Sequence, residues 1–267
     1  MQSLQRWTQS ARFMGYNSEM ISLAENERID QLALSGVQIV QSTDTFRFGI
    51  DAVLLAHFPK IPARGRIVDL CAGNGAVGLL ASELTTAQIV EIELQEKLSA
   101  LTEKSIALNG LTERMSVITD DLKNSLQHLQ PSSVDLIFCN PPYFKANTGA
   151  QNVNPHHDMA RHELTMTFDD IATVSRQLLK DKGHLALVHR PERFFEIIEK
   201  LRAANLQPKR IQFVYPKADT SANLVLIDAI KNGSENGEKF LPPLVVYDAE
   251  GNYTPQLTEI YGSKKAE

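Results

Sequence analysis

Four consecutive residues, Asn140-Pro141-Pro142-Tyr143, have the types needed to act on a planar amino group. The nitrogen of such a group is a poor nucleophile because its lone pair is delocalised. Two acceptors for its hydrogens, the side-chain oxygen of Asn140 and the carbonyl of Pro141, favour a pyramidal nitrogen whose lone pair points at an electrophile. The paired prolines stiffen the turn that aims that carbonyl. Tyr143 offers a face on which a planar base or amide stacks. No strong general base is needed, because the proton can leave after the transfer.

A second motif, Asp69-Leu70-Cys71-Ala72-Gly73-Asn74-Gly75-Ala76-Val77-Gly78, leaves one apolar run and enters another. Glycine turns of this kind let a backbone approach a ligand closely, but they do not by themselves choose the ligand. Asp69 chooses it: a carboxylate here repels a pyrophosphate and attracts the sulfonium and ammonium of S-adenosylmethionine. The expected cofactor site comprises Asp69, Cys71, Ala72, Gly73, Asn74, Gly75, Gly78 and Asn140. Glu91, with Glu93 as its rival, is expected to accept from both ribose hydroxyls, with Ile92 beside it. Asp121, with Asp120 as its rival, is placed for the adenine amino group. Phe48 and Gly49 are expected around the methionine end, supported by Asp51.

These residues need a frame that brings strand ends together. Buried strands are predicted over 66–70, 87–92, 115–119, 134–139, 184–188, 212–215 and 223–230, and helices over 51–58, 77–84, 95–108, 122–129, 168–179 and 191–204. That alternation predicts an α/β, Rossmann-like, doubly wound and largely parallel seven-stranded sheet with helices on both faces. In such a sheet the first and fourth strands are neighbours, which places Cys71 beside Cys139. Four segments are expected: a probable extension over 1–19, an N-terminal cap over 20–65 that includes a strand over 36–40, a catalytic domain over 66–231, and a linker with a C-terminal appendage over 232–267.

Composition narrows the function classes. The chain has 267 residues, 43% of them hydrophobic, enough for a sizeable core, and its net charge of −5 argues against nonspecific coating of nucleic acid. Residues 140–217 nevertheless hold 12 Lys and Arg against 8 Asp and Glu. Lys145 and Arg161, in a polar loop over 145–166, and Arg193 are therefore candidates for phosphate contacts, with Tyr143 for the base. No apolar run reaches the roughly 18–20 residues that a membrane span needs. Two cysteines without ligand-like histidine spacing argue against a metal site. A cytoplasmic, monomeric protein is expected.

The glycine motif, Val90-Glu91-Ile92-Glu93, Asn140-Pro141-Pro142-Tyr143, Phe48-Gly49-Ile50-Asp51-Ala52-Val53-Leu54-Leu55 and Pro243-Leu244-Val245-Val246-Tyr247 together resemble the bacterial tRNA1(Val) adenine-N6-methyltransferase family, within the class I S-adenosylmethionine-dependent enzymes. The resemblance covers residues 20–262 and leaves out the opening segment. It implies a tRNA partner and methylation of the adenosine immediately 3′ of the anticodon. An adenosine in such a loop is already partly unstacked, so extruding it costs less than flipping a base from a duplex. The same tetrapeptide serves enzymes that methylate a glutamine amide on translation release factors. Those resemble one another in a substantial N-terminal helical domain, for which the chain before Asp69 is short.

Overall fold

The computed structural model describes residues 21–32, 36–45, 48–142 and 166–262. An antiparallel ribbon of β1 (Glu27–Gln31) and β2 (Gln38–Ser42) comes first, followed by α1 (Ile50–His57). The alternation then runs β3 (Arg66–Asp69), α2 (Ala76–Ser82), β4 (Gln88–Glu93), α3 (Glu96–Leu108), β5 (Met115–Thr119), a short 3-10 turn with α4 (Ser125–His128), and β6 (Val134–Cys139). Next come α5 (Phe168–Leu178), β7 (Leu179–His189), α6 (Phe194–Ala203), β8 (Leu206–Tyr215) and β9 (Leu224–Lys231). Two-residue strands β10 (Lys239–Phe240) and β11 (Leu244–Val245) and a last helix α7 (Pro255–Gly262) complete the described chain.

One large sheet has the order β10-β8-β9-β7-β6-β3-β4-β5, with β11 also on β8. Pairing is parallel except where β9 runs antiparallel between β7 and β8. The seven longer strands are the seven the sequence predicts. Their side chains alternate between two cores, as the twofold period of a strand requires. Ile67, Leu136 and Leu226 join α1 and α2 on one face, while Val68, Ile137 and Ile227 join α5 and α6 on the other. β3 lies between β4 and β6, so the chain reverses its direction of winding there. The crevice beyond the carboxyl ends at such a switch point is where open α/β sheets bind ligands.

The largest departures from the sequence reading are at β7, β8 and the helix expected over 122–129. β7 begins five residues early and β8 six residues early, because their opening stretches, Lys180-Asp181-Lys182 and Gln207-Pro208-Lys209, are too polar to show an apolar period. β8 carries an irregularity between Pro208 and Arg210, consistent with proline's missing donor. The helix expected over 122–129 divides into a 3-10 turn and a single α turn. The C-terminal segment is less separate than an appendage: β10 and β11 extend the sheet, and Leu244, Val246 and Leu257 are buried in its core. At the other end, the ribbon is tied to α3, where Ser105 Oγ accepts from Val40 N at 2.9 Å and Asn109 bonds both N and O of Gln38. Among the described residues, no helix is long and apolar enough to cross a membrane.

Candidate active site

Asn140 follows β6 directly, at the carboxyl edge beside β3. Its Nδ2 donates to Asp51 Oδ2 at 3.1 Å. The amide nitrogen is committed in this way, and Oδ1 is the acceptor atom of the side chain. Asp51 lies in the first turn of α1, where a carboxylate is favoured by the unpaired N–H groups. Its carboxylate folds back over Gly49: a Cβ there would stand 2.6 Å from Asp51 Oδ1. Phe48 packs against the core under α1. Asp51, expected at the cofactor's methionine end, therefore contacts Asn140, and Gly49 makes room for it.

Pro141 and Pro142 line a cavity together with Met166, Phe168, His189 and Arg193. His189 is 1% exposed, and its ring accepts from Arg190 N at 2.7 Å. Burial first, then the Arg193 charge, holds its imidazole down to about 4, so His189 is uncharged at neutral pH. Arg193 reaches the cavity, but its guanidinium is engaged by Glu196, with Nε to Oε2 at 2.9 Å. It is therefore a weaker phosphate cation than its sequence position suggests. Tyr143, Lys145 and Arg161 lie outside the described residues.

The glycine turn lies at the end of β3. Gly73 and Gly75 have φ of +58° and +79°, and a Cβ on Gly75 would stand 2.5 Å from Thr102 Cγ2. Glycine is required at both positions by conformation, and at the second also by contact. Cys71 N donates to Asp69 Oδ1 at a long 3.4 Å. Among the described residues, Asp69 Oδ2 and Asn74 Nδ2 are buried without a hydrogen-bond partner. One is an acceptor and the other a donor, and both flank a cradle of positive-φ glycines. A ligand that carries an ammonium and a carboxylate together completes both, so these residues fit S-adenosylmethionine.

The two ribose rivals are separated by the length of β4. The strand runs through Glu93, one residue past its predicted end. Glu93 therefore holds the carboxyl edge, accepting from Gly73 N at 2.8 Å and Gln95 N at 2.9 Å. Glu91 lies beneath α2, 0% exposed, with Oε1 1.6 Å from where a Gly78 Cβ would stand. Neither Glu91 oxygen has a partner among the described residues. Gly78 thus makes room for Glu91 and not for a ligand, and Ile92 is buried in the core of the opposite face. Sequence reasoning weighed Glu93 only as second choice, because an early strand end made Glu91 look terminal.

Asp120 and Asp121 are separated in the same manner. Asp120 is engaged by Asn124 Nδ2 at 2.8 Å and His128 Nε2 at 2.7 Å. Asp121 caps the 3-10 turn through Lys123 N and pairs with the Lys123 ammonium at 3.2 Å, a partly exposed contact that is easily exchanged. Asp121 is the freer of the two acceptors.

Three buried carboxylates this close raise one another's proton affinity. Burial first, and the Glu93 charge after it, push Asp69 up to about 7, and burial chiefly pushes Glu91 well above the carboxylate range. The folded chain then keeps the Asp69 proton to about pH 7, whereas the unfolded chain releases it near 3.8. Asp69 stabilises the fold fully below the lower value and ceases to do so as pH rises through the upper one. His189 acts in the opposite sense, so the informative quantity is a difference. The melting temperature of Asp69→Asn relative to wild type should rise between pH 5 and pH 8, and a flat difference would show that Asp69 ionises freely. S-adenosylmethionine affinity should rise over the same range in wild type and stay level in the variant.

Cys71 Sγ and Cys139 Sγ are 3.9 Å apart, as the neighbouring strands predict. The Cys139 thiol, and burial after it, push the Cys71 thiol well above its ordinary range, so Cys71 is protonated and slow to react. Prolonged diamide treatment should join them, the two thiols giving up two protons and two electrons to the reagent. The expected result is a mass lower by two hydrogens and weakened cofactor binding, with prior cofactor slowing the change. An unchanged intact mass after treatment would remove this expectation.

Comparison with known proteins adds the family. Residues 35–206 match the family model described as methyltransferase small domain. A protein of Shewanella sp. (strain MR-4) named tRNA1(Val) (adenine(37)-N6)-methyltransferase is 27% identical over 211 residues, covering 79% of this chain and 88% of that protein. A protein of the same name from Parabacteroides distasonis is 29% identical, covering 68% and 76%. Among solved structures, a predicted O-methyltransferase from Agrobacterium tumefaciens superposes with a TM-score of 0.64 at 22% identity, covering 81% of this chain and all of that one, which is a likeness of fold.

Proposed function

Because the chain belongs to the methyltransferase small domain family, we propose that it methylates N6 of the adenosine immediately 3′ of the anticodon in tRNA1(Val). The observation that carries the chemistry is the Asn140 to Asp51 bond, which commits the amide nitrogen and supports the reading of Oδ1 as the acceptor for the reacting amine. The names of relatives that match over most of their length support the tRNA and the adenine N6 position. S-adenosylmethionine is the cofactor, and when bound it supplies an electrophilic methyl on a cationic sulfur.

The chain's own residues do the rest. Asp69, Asn74 and the Gly73-Asn74-Gly75 turn hold the amino-acid end, Glu93 accepts from the ribose hydroxyls, and Asp121 accepts from the cofactor's adenine. Asn140 Oδ1 and Pro141 O take the two amino hydrogens of the target and orient its lone pair. Pro142 and neutral His189 line the adjoining wall. Tyr143 stacks on the target base, Lys145 and Arg161 meet phosphates, and Arg193 shapes the wall. The protein acts in the cytoplasm as a monomer.

The test is transfer of labelled methyl to total tRNA from a strain lacking the gene, run beside release-factor peptides. Label in tRNA is expected. Label in the peptide alone would assign the clamp to a glutamine amide.

A further inference from the structure

The C-terminal segment carries a row of three aromatic rings that the chemistry above does not use. Tyr247 and Tyr253 stack with centroids 5.4 Å apart and planes 23° apart, and Tyr253 and Tyr261 stack at 5.4 Å and 12°. Tyr253 is therefore the middle ring. Tyr247 and Tyr253 pair across a turn as an isolated antiparallel bridge. The turn is anchored to the sheet where Tyr247 N donates to Pro216 O at 2.9 Å and Thr254 N to Val246 O at 3.0 Å.

The inner end of the row reaches the clamp's support. Tyr261 packs against the core under α1. Burial chiefly, with Tyr253 and then Tyr247 and Asp51 adding, raises its hydroxyl above the ordinary tyrosine range. Asp51 is the carboxylate that holds Asn140. The outer end is open: Tyr247 is 37% exposed, while Tyr253, the middle ring, has a tyrosine on each side. A row serving only to close the C-terminus would gain more by burying this face.

We propose that Tyr247, backed by Tyr253, forms a stacking platform for a nucleobase that flanks the target in the RNA substrate. This rests on the reading of tRNA as substrate. β8 runs parallel to β7, so its Tyr215 end, and the turn fastened there, lie on the same carboxyl edge as Asn140. A strand that places one adenosine in the clamp must lay its neighbours along this edge. Those neighbours lose a stacking partner when the target is drawn out, and a tyrosine face replaces it. Lys217, next to the Pro216 anchor, and Arg190, whose Nη1 donates to Asn223 O at the other end of the same loop, are cations beside that path. Asp248, beside Tyr247, is engaged by Asn252 N at 2.8 Å within the turn.

The test uses the full chain and an anticodon stem-loop that wild type methylates. Tyr247→Ala should raise the Michaelis constant for RNA about tenfold or more, the worth of one stacked base, with turnover and S-adenosylmethionine affinity little changed. Tyr247→Phe should restore it, because the ring face and not the hydroxyl is used. In Tyr247→Trp, indole fluorescence should be quenched on adding the stem-loop, with the signal of Trp7 subtracted from wild type measured alongside. If the alanine variant melts early, the tryptophan variant decides. An unchanged Michaelis constant, or an unquenched indole in a variant that still binds RNA, would overturn the platform and leave the tRNA reading intact. Failure of wild type to methylate any RNA would remove both.

Discussion

Asn140→Ala should lose methyl transfer by about 100-fold to 1,000-fold, the scale on which removal of one preorganised polar group at a reacting centre is felt, while S-adenosylmethionine binds as before. The argument is one of division of labour. Asn140 follows β6, and its amide nitrogen is engaged by Asp51 on α1, whereas the proposed cofactor cradle is built from the ends of β3 and β4. Asn140→Asp should fail almost as badly, since a carboxylate facing Asp51 is repelled and turns away. Single-turnover transfer measured beside a calorimetric cofactor titration checks this. Lost cofactor binding in Asn140→Ala would move Asn140 from the clamp to the cradle.

Glu93→Gln should weaken S-adenosylmethionine binding by about 10-fold to 100-fold, the loss of hydrogen bonds to a charged acceptor. Glu91→Gln should leave affinity within about twofold and raise the melting temperature, because it removes the cost of a buried ionisable group. Glu93 touches Gly73 N at the rim, whereas Glu91 is sealed under α2 beside Gly78. Titration of both variants decides between them. If Glu91→Gln is the one that loses affinity, the cofactor ribose sits deeper than the turn geometry places it.

The alternation of apolar strands and helices was readable because parallel strands buried on both faces are continuous apolar runs. Val134–Cys139 and Met115–Thr119 match their predicted bounds for that reason. Elements stabilised by partners distant in sequence were not readable. β10 and β11 are two-residue strands that exist only against β8, whereas β1, held by the adjacent β2, was hidden by its half-polar pattern alone. At the candidate site, the turn of Gly73 and Gly75 was visible from residue type, because positive φ favours glycine. Asp51 as the partner of Asn140 was not, since 89 residues separate them and only the packing of α1 brings them together. The choice of Glu93 over Glu91 depended on one further residue of β4, an amount that apolar periodicity does not resolve.

The most direct measurement is nucleoside mapping of tRNA1(Val) from a strain lacking the gene, after incubation with the purified protein and labelled S-adenosylmethionine. The account predicts that the label elutes as N6-methyladenosine and maps to the residue immediately 3′ of the anticodon. Label on a ring carbon or ring nitrogen of adenine, or at any other tRNA position, would contradict it.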